Sequence, residues 1–147
     1  MNQELAFKAA FLERRSQELN EEIDKLSSQL LEMSEFSSQL SFLEKSSQNE
    51  SLASLGKGVY IKTNLENRDL FVNVGAGIII KKSIPDTQKI IHNQIRTLNE
   101  ARIQLTAQIE LCNHALKQAI GEMENEESKE NKEDSKHVHS SNCQHNH

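Results

Sequence analysis

The 147-residue chain has no Trp, one Tyr and five Phe, so aromatic residues make up only 4% of it. A globular core of ordinary density needs more large apolar side chains than that. The shortage points instead to long helices that bury a narrow seam. Pro occurs once, and neither Gly nor Pro interrupts residues 1–55. The two Cys, Cys112 and Cys143, stand in unlike surroundings and make no disulfide framework. No stretch approaches the roughly 20 apolar residues that a membrane span requires. Leu5–Leu12 is apolar but short, and no small-residue cleavage site follows it, so no signal peptide is expected and a reducing cytoplasm is the expected setting. A basic excess is lacking too. Of the formal charge of −5, residues 122–136 supply most, with seven acids against three Lys, whereas residues 1–121 hold fifteen acids against fourteen bases. Nucleic acid is therefore not an expected partner, and the acidity belongs to the tail.

What is present is periodicity. Leu5, Leu12, Leu19, Leu26, Met33 and Leu40 recur every seven residues, with Ala9, Ser16, Ile23, Leu30 and Ser37 between them. Such d and a positions sustained over about five heptads predict a coiled-coil helix over about 2–46. Phe36 and Leu43 suggest a second phase displaced by three residues, read as local overwinding or as the approaching helix end. A second seam runs through Ile91, Leu98, Leu105, Cys112 and Ala119, alternating with Ile95, Arg102, Ile109, Leu116 and Met123. Arg102 is its one polar intruder, either a register device paired with Glu32 or Glu35 or a side chain that snorkels to solvent. Ser83 in N-cap position, Pro85 in the first turn and Asp86 three residues after Ser83 mark the start of this helix, expected over about 84–123.

Between the seams the pattern changes. Residues 46–51 form a polar linker, and four of the five Gly fall between 56 and 77. Val59, Ile61, Thr63 and Leu65 alternate, as do Leu70, Val72 and Val74, and Ile78–Ile80 form a β-branched run. Gly56-Lys57-Gly58 and Gly75-Ala76-Gly77 punctuate these runs, which predicts strands near 52–55, 58–65, 69–74 and 78–82, paired as hairpins. The fold class expected is mainly α with a small β segment: an antiparallel two-helix coiled-coil hairpin joined by two β-hairpins over about 52–82. One or two hairpins are marginal alone in water, and their edges expose unpaired backbone groups. Completion by other subunits is the physical solution.

Two features stand outside this frame. Phe7 and Phe11 fall at outward f and c positions, i,i+4 neighbours on the face away from Leu5 and Leu12. An exposed aromatic pair at a free end is a binding surface, unless frayed ends or another subunit cover it. After Met123 comes a run of Glu, Asn, Lys, Ser and Asp without an apolar residue, so 124–147 is expected to be a disordered, acidic and His-rich tail. Its end, His137-x-His139-x3-Cys143-x-His145-x-His147, holds ligands suited to Zn or Ni, or else is a functionless His-rich terminus.

No catalytic constellation is legible. The Gly triplets lack the third Gly of a dinucleotide fingerprint, and Ile80 stands where it would fall; no Gly-Lys-Ser/Thr occurs. His92 and His114 are isolated, and Cys112 is a seam residue. The protein is therefore expected to be no enzyme and to need no catalytic cofactor.

The central residues resemble those of a known family. Leu55-Gly56-Lys57-Gly58-Val59-Tyr60-Ile61-Lys62 is similar to the hairpin turn of alpha-type prefoldin subunits. Leu70-Phe71-Val72-Asn73-Val74-Gly75-Ala76-Gly77 resembles their strand ending in Val-Gly-Ala-Gly, and Ile78–Ser83 looks like the last strand and the approach to the second helix. The resemblance covers about 1–123, is specific over 55–83, favours the alpha class through its four strands, and has an archaeal look. It implies an ATP-independent chaperone subunit in a hexamer of two alpha-type and four beta-type subunits. Such a subunit captures unfolded polypeptides at apolar tips and delivers them to a group II chaperonin. The tip residues implied are Leu5, Phe7, Ala10, Phe11, Leu12, Ile120 and Met123. The assembly residues implied are Val59, Ile61, Leu70, Val72, Val74, Ile78 and Ile80. The competing readings are a coiled-coil scaffold or adaptor of another complex, and a metal carrier acting through its tail.

Overall fold

The computed structural model describes residues 2–137. Its elements run α1 (Gln3–Lys45), β1 (Glu50–Gly56), β2 (Val59–Asn64), β3 (Leu70–Asn73), β4 (Ile79–Lys82) and α2 (Ile84–His137). The two helices and four strands are those the periodicities predict, within a few residues at each boundary except the last. The chain divides into two units. One combines α1 up to Lys25 with α2 from Arg102 onward, and the other is Leu26–Ala101.

In the first unit the heptad seam sets burial. Leu19 and Ala119 are almost fully buried. Leu5, Ala9, Leu12, Ser16 and Ile23 on α1 are half-buried, as are Leu105, Ile109, Cys112, Leu116 and Met123 on α2. Ser16 Oγ donates to Asn113 Oδ1 at 3.1 Å and fixes the level at which the segments meet. Arg102, the polar intruder, is exposed.

α2 does not stop near Met123. It continues to His137, through residues where the sequence predicts disorder. From 127 to 135 every residue is exposed, so tertiary burial does not hold this stretch. Its stability is local. The preceding coiled coil has already met the cost of nucleation, and propagation adds one hydrogen bond per residue. Glu and Lys are good helix formers, and Glu126/Lys129 and Lys129/Glu133 stand at i,i+3 and i,i+4 spacing. The remainder of the tail, from Val138, lies outside the described residues.

In the second unit Leu40, Ile84 and Ile91 form the buried core, with Met33, Leu43, Leu70 and Ile95 packed against it. The first heptad phase holds as far as Leu40, since Ser37 and Leu40 are buried while Phe36 is exposed; in the last turn Leu43, of the second phase, packs on the core while Glu44 is exposed. Two polar ties cross the seam and show the helices to be antiparallel. Ser37 Oγ lies 3.2 Å from His92 Nε2, and Gln88 Nε2 donates to Ser41 Oγ at 2.7 Å. Ser83 caps α2 as predicted, its Oγ accepting from Asp86 N at 3.2 Å and its carbonyl from Thr87 N at 3.1 Å.

The strands make two separate antiparallel hairpins, β1–β2 and β3–β4. In the first, Gly56 pairs with Val59 and a register shift leaves Leu55 as a bulge. The loop is therefore Lys57-Gly58, with φ of 52° and 78°, the left-handed pair that a tight hairpin turn demands. The second hairpin pairs Asn73 with Ile79 across a longer loop, closed by Val74 N to Ile78 O at 3.0 Å and Ile78 N to Gly75 O at 2.9 Å.

Arg68, in the connection between the hairpins, performs a task the sequence reading missed. Its Nε donates to Leu43 O at 2.8 Å, and its terminal nitrogen donates to Ser46 O and, at 3.1 Å, to Gln48 O. The last carbonyls of a helix have no intrahelical donors. A guanidinium supplies several in a fixed fork and places positive charge at the negative end of the helix dipole.

Candidate functional site

Among the described residues, large apolar side chains stand open to solvent in both units. In the first unit Phe7 is 77% exposed and Phe11 62%. They lie on α1 four residues apart, because the seam takes only the heptad positions on the opposite side. Ala10 is also exposed, Ile120 is 40% exposed, and Leu5, Leu12 and Met123 are half-buried in the seam. The residues read as a tip therefore comprise an outward group, Phe7, Ala10, Phe11 and Ile120, and an inward group that supports it.

In the second unit such side chains lie on the pair of hairpins. Neither has its outer face covered. β1 is exposed at every residue, and in β2 Val59, Tyr60 and Ile61 are all more than half exposed. In β3–β4 the faces differ. Leu70 packs on the helical core, and the cross-strand pair Val72 and Ile80 is half-buried on the same face. Phe71 and Ile79 point the other way, 72% and 63% exposed, with Val74 and Ile78 at the loop also open. Of the residues assigned to assembly, Val59, Ile61, Val74 and Ile78 are exposed, whereas Leu70, Val72 and Ile80 are already partly used by the fold. Leu52, Leu55, Tyr60, Phe71 and Ile79 were not singled out, although the alternation that places Val72 inward puts Phe71 outward by the same rule. Phe42, 76% exposed near the end of α1, gave no signal beyond lying off the seam.

Charges on the hairpins are paired at their flanks, Lys62 with Glu50 at 3.0 Å and Lys81 with Asp69 at 2.9 Å. Such exposed pairs contribute little stability. No cluster of three or more His, Cys, Asp or Glu suited to a metal exists among the described residues. Of the tail set, α2 ends at His137, and His139, Cys143, His145 and His147 lie outside the described residues. Among the described residues, no helix is long and apolar enough to cross a membrane.

Comparison with known proteins agrees with this architecture. A family model described as "Prefoldin subunit" matches residues 12–132. A curated relative, prefoldin subunit alpha of Methanosphaera stadtmanae, is 24% identical over 80 residues, which are 54% of this chain and 58% of the relative. Prefoldin subunit alpha 2 of Thermococcus kodakarensis is 29% identical over 82 residues, 55% of this chain and 58% of that one. The matched part thus spans little more than half the length of these relatives. The fold of a chain from the filamentous PFD of Methanocaldococcus jannaschii superposes with a TM-score of 0.69 at 18% identity, covering 80% of this chain and 98% of that one. Two coiled-coil helices joined by two β-hairpins define the class, a helical-hairpin subunit with an open sheet surface. The chain belongs to the prefoldin family, and within it the curated relatives it matches are of the alpha type.

Proposed function

We propose that the chain is the alpha-type subunit of a cytoplasmic, ATP-independent chaperone, assembled through its hairpins with beta-type subunits, two alpha to four beta. It holds unfolded polypeptides at its helical tip and passes them to a group II chaperonin; it is not an enzyme. The observation that carries this reading is the exposure of Phe7 and Phe11 at a helix end, where the seam has no use for them. A Phe side chain removed from water by a client gains roughly 1.5–3 kcal/mol, too little for one tip to hold a client alone. Several tips on one assembly hold it through effective concentration. The open hairpins supply the assembly, since separate two-stranded sheets with exposed apolar faces are completed only by further strands.

The test replaces both tip aromatics. Phe7→Ser with Phe11→Ser is expected to leave helicity and assembly with beta-type subunits unchanged and to abolish suppression of aggregation of a denatured client. A double variant that protects clients as well as the parent would overturn the reading. Failure to assemble would instead assign both residues to structure.

A further inference from the structure

We propose that the outward face of α2 centred on Ala107 is a contact for a second copy of this chain, laid antiparallel to the first. This goes beyond the reading above, which uses only the tip and the hairpins. The seam takes Leu105, Ile109 and Cys112, which are half-buried on one side of α2. Away from that side Ile103 and Leu111 stand 65% and 72% exposed, and Ala107 between them is exposed too. No charged residue occurs from 103 to 109, so these two turns lack the charged outer face that a coiled-coil helix normally shows to water. An exposed apolar residue standing singly is ordinary. Two of them aligned on an uncharged stretch of helix suit the cover of another helix.

The order of the residues names the occupant. Glu100, Ile103, Ala107, Leu111 and His114 are all exposed and follow one another at steps of three, four, four and three. At 3.6 residues per turn they fall within an arc of about 80° on one face of α2. Their steps average those of a knobs-into-holes seam. The order also reads alike from either end, with a branched apolar side chain four residues to each side of Ala107 and a polar partner seven residues to each side. Laid antiparallel about Ala107, each copy's Ile103 comes beside the other's Leu111. Each Glu100 comes level with the other's His114, a carboxylate against an imidazole N–H. Ala107 meets Ala107 at the two-fold axis, where the small side chain lets the helices close to about 8–10 Å. Parallel pairing would set Glu100 against Glu100, so charge selects the antiparallel arrangement. With three apolar side chains from each copy, the contact falls short of the roughly 1,200 Å² of a stable interface. It is therefore weak between free chains and gains from any link that already holds two copies together.

The test is cross-linking of the full-length chain by a short bis-maleimide, in a background of Cys112→Ser and Cys143→Ser. Ala107→Cys puts a thiol at the axis, where two copies face each other. Gln118→Cys puts one on an exposed position of the same helix, but its two copies lie about 33 Å apart, too far for the reagent. Cross-linked dimer is expected to be about tenfold more abundant for Ala107→Cys, since only there does the contact raise the effective concentration of the second thiol. Adding Ile103→Lys and Leu111→Lys is expected to bring it down to the Gln118→Cys level, with helicity and suppression of client aggregation unchanged. Glu100→Lys is expected to lower it as well, and His114→Glu on top of Glu100→Lys to restore it. Equal cross-linking at 107 and 118, a dimer that survives the two Lys substitutions, or no restoration by the exchanged charges overturns the proposal. Absence of the Ala107→Cys dimer, with loss of client protection in the Lys variant, overturns it too and gives this face to clients instead.

Discussion

The helical tip and the hairpins both expose large apolar side chains, but for opposite reasons. At the tip the fold is complete without them: Leu19 and Ala119 close the seam, and Phe7 and Phe11 stand outside its repeat. In the hairpins the fold is incomplete with them. Phe71 and Ile79 form the free face of a sheet whose other face already rests on Leu40, Ile84 and Ile91 through Leu70. Surplus apolar surface at a saturated seam suits reversible contact with many sequences. The same surface on an unfinished sheet suits permanent, register-specific pairing.

The comparison breaks most decisively in the hairpins. Val72→Lys or Ile80→Lys places a charge on the half-buried face of β3–β4, where desolvation costs several kcal/mol or the strand is ejected. Loss of co-assembly with beta-type subunits on size exclusion is expected, and assembly at the parent's yield would show that this face is not needed. Leu19→Ala should cost roughly 2–5 kcal/mol of unfolding free energy by denaturant titration while leaving assembly intact. Arg68→Met removes three charge-assisted hydrogen bonds from partly exposed carbonyls. A loss of about 2 kcal/mol is expected, together with faster amide exchange in residues 43–49. Ser83→Ala should cost about 1 kcal/mol, read as a small drop in thermal midpoint. The tail gives the smallest effect on either region: any Zn or Ni bound by His137, His139, Cys143, His145 and His147 should vanish from calorimetric titration of a version ending at Lys136, with chaperoning unchanged. Equal metal binding by both versions would move the site elsewhere.

The seams were legible because a seven-residue repeat has one structural meaning. Leu19, Leu30 and Leu40 are buried where the repeat puts them, and the Gly triplets mark both turns. Three features were not legible. The run after Met123 lacks apolar residues, which argues against burial and not against helix; α2 shows that a helix already nucleated persists without burial. Arg68 reads in sequence as one more surface charge, because its partners are backbone carbonyls some 20 residues away, invisible to any side-chain pattern. The outward face of β3–β4 was not legible because both phases of these strands are apolar. Val72 and Ile80 fit an alternation, and Phe71 and Ile79 occupy the complementary phase.

The grip of Arg68 also has a consequence for how such a chain is put together. Its guanidinium holds Gln48 O at 3.1 Å, and Leu65 N donates to Asn49 O at 2.6 Å, so the chain leaves and returns at nearly one point. Residues 49–67 are thus a module threaded into the link between α1 and β3 and closed at its neck by the Arg68 side chain and one backbone hydrogen bond. A shorter connection across that neck would leave Leu40, Ile84 and Ile91 packed as they are and yield a helical hairpin with a single pair of strands. The number of hairpins the chain presents is thus set by an excursion that lies outside the buried cluster of Leu40, Ile84 and Ile91.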